Sequence, residues 1–341
     1  MKRAVWIALA ALALSCASKP TWWRAGQIAV MAEPEDWREL RPELSMTFEH
    51  VVPTPEAEKT FELVFVPGRD FKKYEAFRFI IVAATLETKG RIGGIIRKLL
   101  SNRAMRQSVE SGESFMFVER DQWARGQLML ILVSRDISMF RDRIRENRAF
   151  CDGVFESELV SESLRILSDR GEQTEASRRL LDRFGWTIRI PSECLIEESP
   201  ADSLVWFFRG NPEHRLFVHW KTGGALDPGQ ILRERDRLGA LHFERECVSE
   251  GFWESGPARF QQHPALRISG LWENEEKETG GPFVNYTFTD SVSGRTYLID
   301  GEVFAPGEKK LPTLRLLEAW MGSFRTRESA AVESNTKGDN P

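Results

Sequence analysis

The chain is 341 residues long, 41% hydrophobic and 29% charged, with 47 basic against 51 acidic side chains and a formal net charge of −4. This composition excludes a disordered chain, and the slight acidic excess excludes a general attraction for nucleic acid or anionic lipid. Cys16, Cys151, Cys194 and Cys247 are too scattered for a disulfide framework or a zinc site. A Cys194–Cys247 bridge is permitted in an oxidising compartment but not specified.

Residues 1–15 read as an export signal: Lys2 and Arg3, an apolar run from Ala4 to Leu14, then Ser15 before Cys16. The run is shorter than the roughly 20 residues that span a bilayer. Leu12-Ala13-Leu14-Ser15-Cys16 resembles a lipobox, in which the chain is cut before a diacylglycerol-modified cysteine; Ala13 departs from the larger aliphatic residue usual at its position. The expectation is lipid on Cys16, with the membrane as partner. Removing Lys2 and Arg3 leaves 45 basic against 51 acidic residues, a mature net charge of about −6. Residues 16–25 are then a tether, whose Trp22 and Trp23 sit at headgroup level or pack on the first domain.

The first domain is read over 26–150. Gln27 to Met31 is a strand, and Pro34 opens a short helix carrying Trp37. Further strands are expected at Phe61 to Val66, Phe77 to Leu86, Ser114 to Glu119 and Gln127 to Ser134. The continuous apolar runs Phe79 to Val82 and Leu128 to Val133 mark strands covered on both faces. Ile92, Ile95, Ile96, Leu99 and Leu100 recur at helical spacing, as do Ile137, Phe140 and Ile144. A helical linker is expected over 151–175.

The second domain is read over 176–325. Trp186 to Ile190 is a strand ended by Pro191, and Leu204 to Phe208 and Leu216 to Trp220 are hairpin arms around Gly210-Asn211-Pro212. Asp227 caps and Pro228 opens a helix carrying Ile231, Leu232, Arg235 and Leu238. Leu266 to Trp272, Phe283 to Thr289 and Arg295 to Phe304 complete a sheet. Leu314, Leu317, Trp320 and Phe324 form a closing helix, and 326–341 is a disordered tail. The fold class is therefore α+β: two α/β-sandwich domains, each a mostly antiparallel sheet covered by helices.

Gly270-Leu271-Trp272-Glu273-Asn274 and Gly280-Gly281-Pro282-Phe283-Val284-Asn285-Tyr286-Thr287 resemble the bacterial lipoprotein family known as domain of unknown function 4837 (DUF4837). Gly301 to Pro306, Leu316 to Ala319, Phe184-Gly185-Trp186, Ile190-Pro191 and Arg235-Asp236 share the likeness. The resemblance implies a lipid-anchored envelope protein and no activity. The order of hairpin, long helix, meander and closing helix also looks similar to PsbP-type extrinsic photosystem subunits, which implies a docking module by fold analogy.

Glu273, Glu275, Glu276 and Glu278 with Lys277 make an acidic turn that lacks calcium-loop spacing and reads as solvated. Beside it, Trp272, Asn274, Glu275, Gly280, Gly281, Asn285 and Tyr286 are the candidate binding residues, because amphipathic side chains next to a glycine-rich loop suit an interface; core or rim packing fits the aromatic and amide members equally. Gly90 to Gly94, between a strand and a helix, matches neither phosphate-loop nor dinucleotide spacing, and reads as a flexible turn sooner than as a phosphate site. His50, His214, His219, His242 and His263 show no metal spacing; His242, Glu244 and Glu246 are the set able to converge. No catalytic signature, metal site or cofactor motif emerges. The leading expectation is a non-catalytic envelope docking protein with an envelope protein as partner, on the periplasmic or surface side of the outer membrane. The alternative is a small-ligand receptor or enzyme with its site in an inter-domain cleft, drawing on His242, Glu244 or Glu275.

Overall fold

The computed structural model describes residues 20–22, 26–169, 171–224 and 226–330. The leader, Cys16, Trp23 and the tail beyond residue 330 lie outside them. The chain divides into two compact units, Met1–Val51 with Lys59–Ser157, and Val52–Glu58 with Glu158–Pro341.

The first unit is built on β1 (Gln27–Ala32), α1 (Pro34–Phe48), β2 (Glu62–Pro67), β3 (Phe79–Thr85), α2 (Gly90–Leu99), α3 (Arg103–Glu110), β4 (Met116–Arg120), β5 (Leu128–Ser134) and α4 (Ile137–Glu146). Its sheet runs β2-β1-β3-β5-β4, with β1, β2, β3 and β5 parallel and only β4 antiparallel to β5. This corrects the expected mostly antiparallel sheet. Every residue of β3 and β5 is buried, and strands apolar on both faces are what crossover helices on both sides of a parallel sheet require. Ile80, Val82 and Ile131 pack with Ile92 and Ile96 of α2, while Phe79 meets Phe155, 5.2 Å between ring centroids. Trp22 packs edge-on against Phe77 at 4.6 Å.

A helix, α5 (Arg148–Asp169), carries the division between units, where a helical linker was expected. The second unit then contains α6 (Thr174–Phe184), β6 (Leu195–Ser199), β7 (Leu204–Arg209), β8 (Glu213–Thr222), α7 (Pro228–His242), β9 (Cys247–Phe260), β10 (His263–Asn274), β11 (Thr279–Asp290), β12 (Arg295–Phe304) and α8 (Leu311–Met321). Its seven-stranded sheet, β9-β10-β11-β12-β8-β7-β6, is antiparallel throughout. Trp186–Thr187 forms only a short strand, paired with Arg325–Thr326. Residues 326–330 are therefore ordered, contrary to the expected tail: Arg327 donates from its backbone to Gly185 O at 2.9 Å.

One face of this sheet packs Val284, Phe288, Tyr297 and Ile299 against Leu180 of α6 and Leu317 and Trp320 of α8. The other packs Phe217, Ile268, Phe283 and Leu298 against Ile231, Leu232 and Leu238 of α7. Asp227 caps α7 as expected, its Oδ1 accepting from Gln230 N at 2.8 Å. The sheet thus separates two interiors, and the α7 face is the polar one.

Candidate functional site

Arg235 stands on the apolar stripe of α7, only 3% exposed, above Asp300 (0%) and Glu302 (3%) of β12. Residues 300 and 302 are two apart on one strand, so both carboxylates point to the same face. The Arg235 guanidinium donates through Nε to both Asp300 oxygens at 3.3 Å and through Nη2 to Glu302 at 2.6 Å. It also lies 4.3 Å from the centre of the Phe283 ring. Asn285 donates to Asp300 at 3.0 Å and accepts from Thr287 at 2.8 Å, which completes the buried part of the network.

From Glu302 the network reaches the surface. Arg215 of β8 bonds both Glu302 and Glu246, and its guanidinium stacks 3.9 Å from the Phe243 ring centre. Two close backbone approaches fix Glu246 and the strand opposite. A Cβ on Gly239 of α7 would lie 2.0 Å from Glu246 O, and one on Gly281 of β11 would lie 1.9 Å from Val303 O. Asp236 holds the next turn by accepting from Val248 N at 2.8 Å.

Burial pushes the Glu246 carboxyl up to about 8, helped by the adjacent Glu302, with which it shares a hydrogen bond. Burial likewise lifts Asp300 to about 6, against the pull of Arg235. At Glu302 burial acts in the same direction, but the guanidiniums of Arg215 and Arg235 outweigh it and hold the group below the usual carboxylate range. At neutral pH the cluster is a neutral set: two guanidiniums, two carboxylates and one carboxylic acid.

This set forms the floor of an open cleft of about 270 Å³ in the second unit, walled by Phe208, Trp272, Lys277, Thr279 and Phe304. Glu213 and Glu244 stand at its rim. Lys277 is held by Glu244. Two buried donors in the walls, Arg215 Nε and Trp272 Nε1, have no partner among the described residues. Both are donors only; a third unpartnered atom of the lining, His214 Nε2, is an acceptor, because its Nδ1–H donates to Pro212 O, and a buried polar atom without a partner costs roughly 1–3 kcal/mol.

The sequence-predicted residues divide around this cleft. Trp272 is in its wall, 4% exposed. Asn274 is buried and shapes the rim: it donates to Glu244 O at 2.8 Å and accepts from Lys277 N at 3.1 Å. Gly280 and Gly281 bring β11 close to its neighbours, and Asn285 lies in the network behind the floor. Glu275 is exposed in the turn, outside the cleft lining. Tyr286 faces the opposite side of the sheet, where its hydroxyl meets Glu318 at 3.0 Å and Arg267 at 3.2 Å. The expected exposed aromatic surface is thereby corrected. Strand alternation sends residues 285 and 286 to opposite faces, and the indole packs inward.

Glu244 and Glu246 converge on the cleft, whereas His242 turns away to Asp202, 2.9 Å from its Oδ2. His214 and His219 are buried and each donates through Nδ1 to backbone oxygens. Gly90 begins α2, and the Glu33 carboxylate already occupies that helix start, accepting from Ile92 N at 3.0 Å. Cys194 and Cys247 are unbridged, and burial raises the Cys194 thiol to about 12. Among the described residues, no three His, Cys, Asp or Glu side chains are grouped to hold a metal ion.

Residues 173–323 match the family model described as a domain of unknown function, DUF4837. The match covers 151 of the 341 residues, and this segment is similar to that family. It contains every strand of the seven-stranded sheet and every residue lining the cleft. No curated protein matches the chain. Among solved structures, the chain is similar to the Saccharomyces cerevisiae Ran-binding protein Mog1p, at 13% identity over 42% of this chain and 90% of that one, with a TM-score of 0.30. It is similar to LpqN, involved in cell envelope biogenesis of Mycobacterium tuberculosis, at 10% identity over 41% and 81%, with a TM-score of 0.28. A Bacteroides thetaiotaomicron VPI-5482 protein is similar at 9% identity over 43% and 46%, with a TM-score of 0.26.

Proposed function

We propose that this chain is a bacterial cell-envelope protein held to a membrane by lipid on Cys16, and that its DUF4837-like segment is a binding module whose site is the cleft over Arg215, Glu246 and Glu302. The leader pattern supports the address: a charged start, an apolar run too short to span a bilayer, and a small residue before cysteine. No described helix is long and apolar enough to cross a membrane. Several acyl chains on one residue suffice for attachment, at about 0.8 kcal/mol per buried methylene.

One observation carries the binding reading. A buried Arg–carboxylate network seldom adds net stability, since desolvating the ions offsets their attraction; here such a network opens at a cleft where two buried N–H donors lack acceptors. A ligand in the cleft supplies what the chain leaves out. A second reading, an enzyme, is favoured by the opposite shifts of Glu246 and Glu302, the pattern of an acid and a base side by side.

The test is native mass spectrometry of protein purified gently from its own envelope, beside a Thr279→Phe variant that fills the cleft. We expect a small bound mass on the wild type and none on the variant; bare protein in both contradicts the binding reading. Incubation of the recovered compound with fresh protein separates binding, which leaves its mass unchanged, from turnover. Replacing Cys16 with Ser should move the protein from the membrane to the soluble fraction.

A further inference from the structure

We propose that the cleft takes a neutral, hydroxyl-rich ligand, a single sugar ring, with its hydroxyls between the Arg215 and Trp272 N–H groups and the Glu246–Glu302 carboxyls. This rests on the reading of the cleft as a binding site and names the chemistry of what it holds. Three other classes of ligand fit the cleft worse. An anion finds no free cation: Arg215 is shared by Glu246 and Glu302, Lys277 is held by Glu244, and Glu213 adds a further carboxylate at the rim. A cation answers one of the three unpartnered groups of the lining, the acceptor His214 Nε2, and is opposed by the two donors, Arg215 Nε and Trp272 Nε1. An apolar ligand would cover the rim carboxylates without giving them partners and would leave the buried unpartnered atoms as they are, at roughly 1–3 kcal/mol each.

A hydroxyl group accepts from an N–H and donates to a carboxylate through the same oxygen, so a ring of hydroxyls answers both halves of the wall. Phe208, Phe304 and the Trp272 ring supply apolar surface for the C–H faces of such a ring. The volume of about 270 Å³ is at the small end of ligand clefts, which run from roughly 300 to 1,000 Å³, and suits one ring. Glu246, whose carboxyl burial pushes up, gives its proton to the hydrogen bond with Glu302 and so adds no charge to the cleft.

The experiment follows the Trp272 indole N–H in two-dimensional NMR of the full mature chain labelled with ¹⁵N-tryptophan, its signal assigned by Trp272→Phe. The probes share one ring and differ in charge: N-acetylglucosamine and glucose are neutral, glucosamine is a cation and glucuronate an anion. We expect the neutral sugars to shift the signal saturably and at least tenfold more tightly than either charged sugar. Arg215→Lys, which keeps the charge and loses Nε–H, should weaken the neutral sugars at least tenfold while the other indole signals stay in place. Equal or tighter binding of a charged sugar overturns the proposal. So does a shift produced by N-acetylalanine methylamide and by no sugar, which assigns the cleft to a peptide. If no probe moves the signal while the wild type still carries a bound mass that Thr279→Phe removes, the sugar assignment fails and the binding site stands. If neither is seen, both fail.

Discussion

The two units bury their sheets in different chemistry. In the first, no strand buries a charged residue, and β3 and β5 are apolar from end to end. In the second, β12 sends Asp300 and Glu302 into the interior beneath Arg235, behind an open cleft. An apolar core of similar size would hold the second sheet as well or better, so stability alone does not account for the polar interior. On the proposed reading the comparison separates scaffold from site: the first unit has an apolar sheet interior, and the second carries a costly polar one behind its cleft.

The sharpest way to break the comparison is to remove one partner from the buried network. Arg235→Met leaves Asp300 without its guanidinium and Glu302 with Arg215 alone, and should cost about 3–5 kcal/mol in urea unfolding. Arg235→Lys should recover little, because one ammonium cannot reproduce the bonds to both carboxylates. A loss under about 1 kcal/mol would show that the network is not held as described. The matching cut in the first unit is Leu130→Ala, at about 2–5 kcal/mol. There Leu130→Met should restore all but about 1.5 kcal/mol, since volume is what matters.

A smaller effect comes from pH. Glu246 has a folded pKa of about 8, above its ordinary 4.5, so its contribution is full below pH 4.5 and is lost as pH rises through 8. Asp300 acts in the same sense between 3.8 and about 6. His214, lowered from 6.5 to about 4 mainly by burial, acts in the opposite sense, its contribution lost as pH falls through that range. The window from 6.5 to 8 therefore isolates Glu246. Melting temperature should fall across it in the wild type and stay flat in Glu246→Gln; equal slopes would contradict the buried acid. The smallest change expected is at the cap of α7: Asp227→Ala should cost about 1 kcal/mol, read by thermal melting, and leave ligand binding intact.

Much of this contrast was legible in the chain. The strands of the first sheet stand out because apolar runs such as Phe79-Ile80-Ile81-Val82 have no polar face. The same runs carry the clue to parallel pairing, which the mostly antiparallel expectation passed over. β9 is hidden: Gly251, Gly256 and Pro257 punctuate it, and an exposed edge strand buries too little to show alternation. At the site, Trp272 and Asn274 were within reach because their segment resembles DUF4837. Asp300 and Glu302, two apart in an otherwise apolar strand, and Arg235 on an apolar helical stripe, were signals of a buried ion network. Arg215 gave none, since only sheet pairing brings it to Glu302 and only the close packing of α7 brings Glu246 to it.

The central claim is that ligand is held in the second unit alone. Hydrogen exchange measured by mass spectrometry on the protein as purified from its envelope, and again after its bound compound has been stripped by unfolding and refolding, tests this directly. Stripping should accelerate exchange around 213–217, 243–248, 272–281 and 300–304, with residues 27–146 unchanged. A difference confined to the first unit, or none anywhere, would contradict the account.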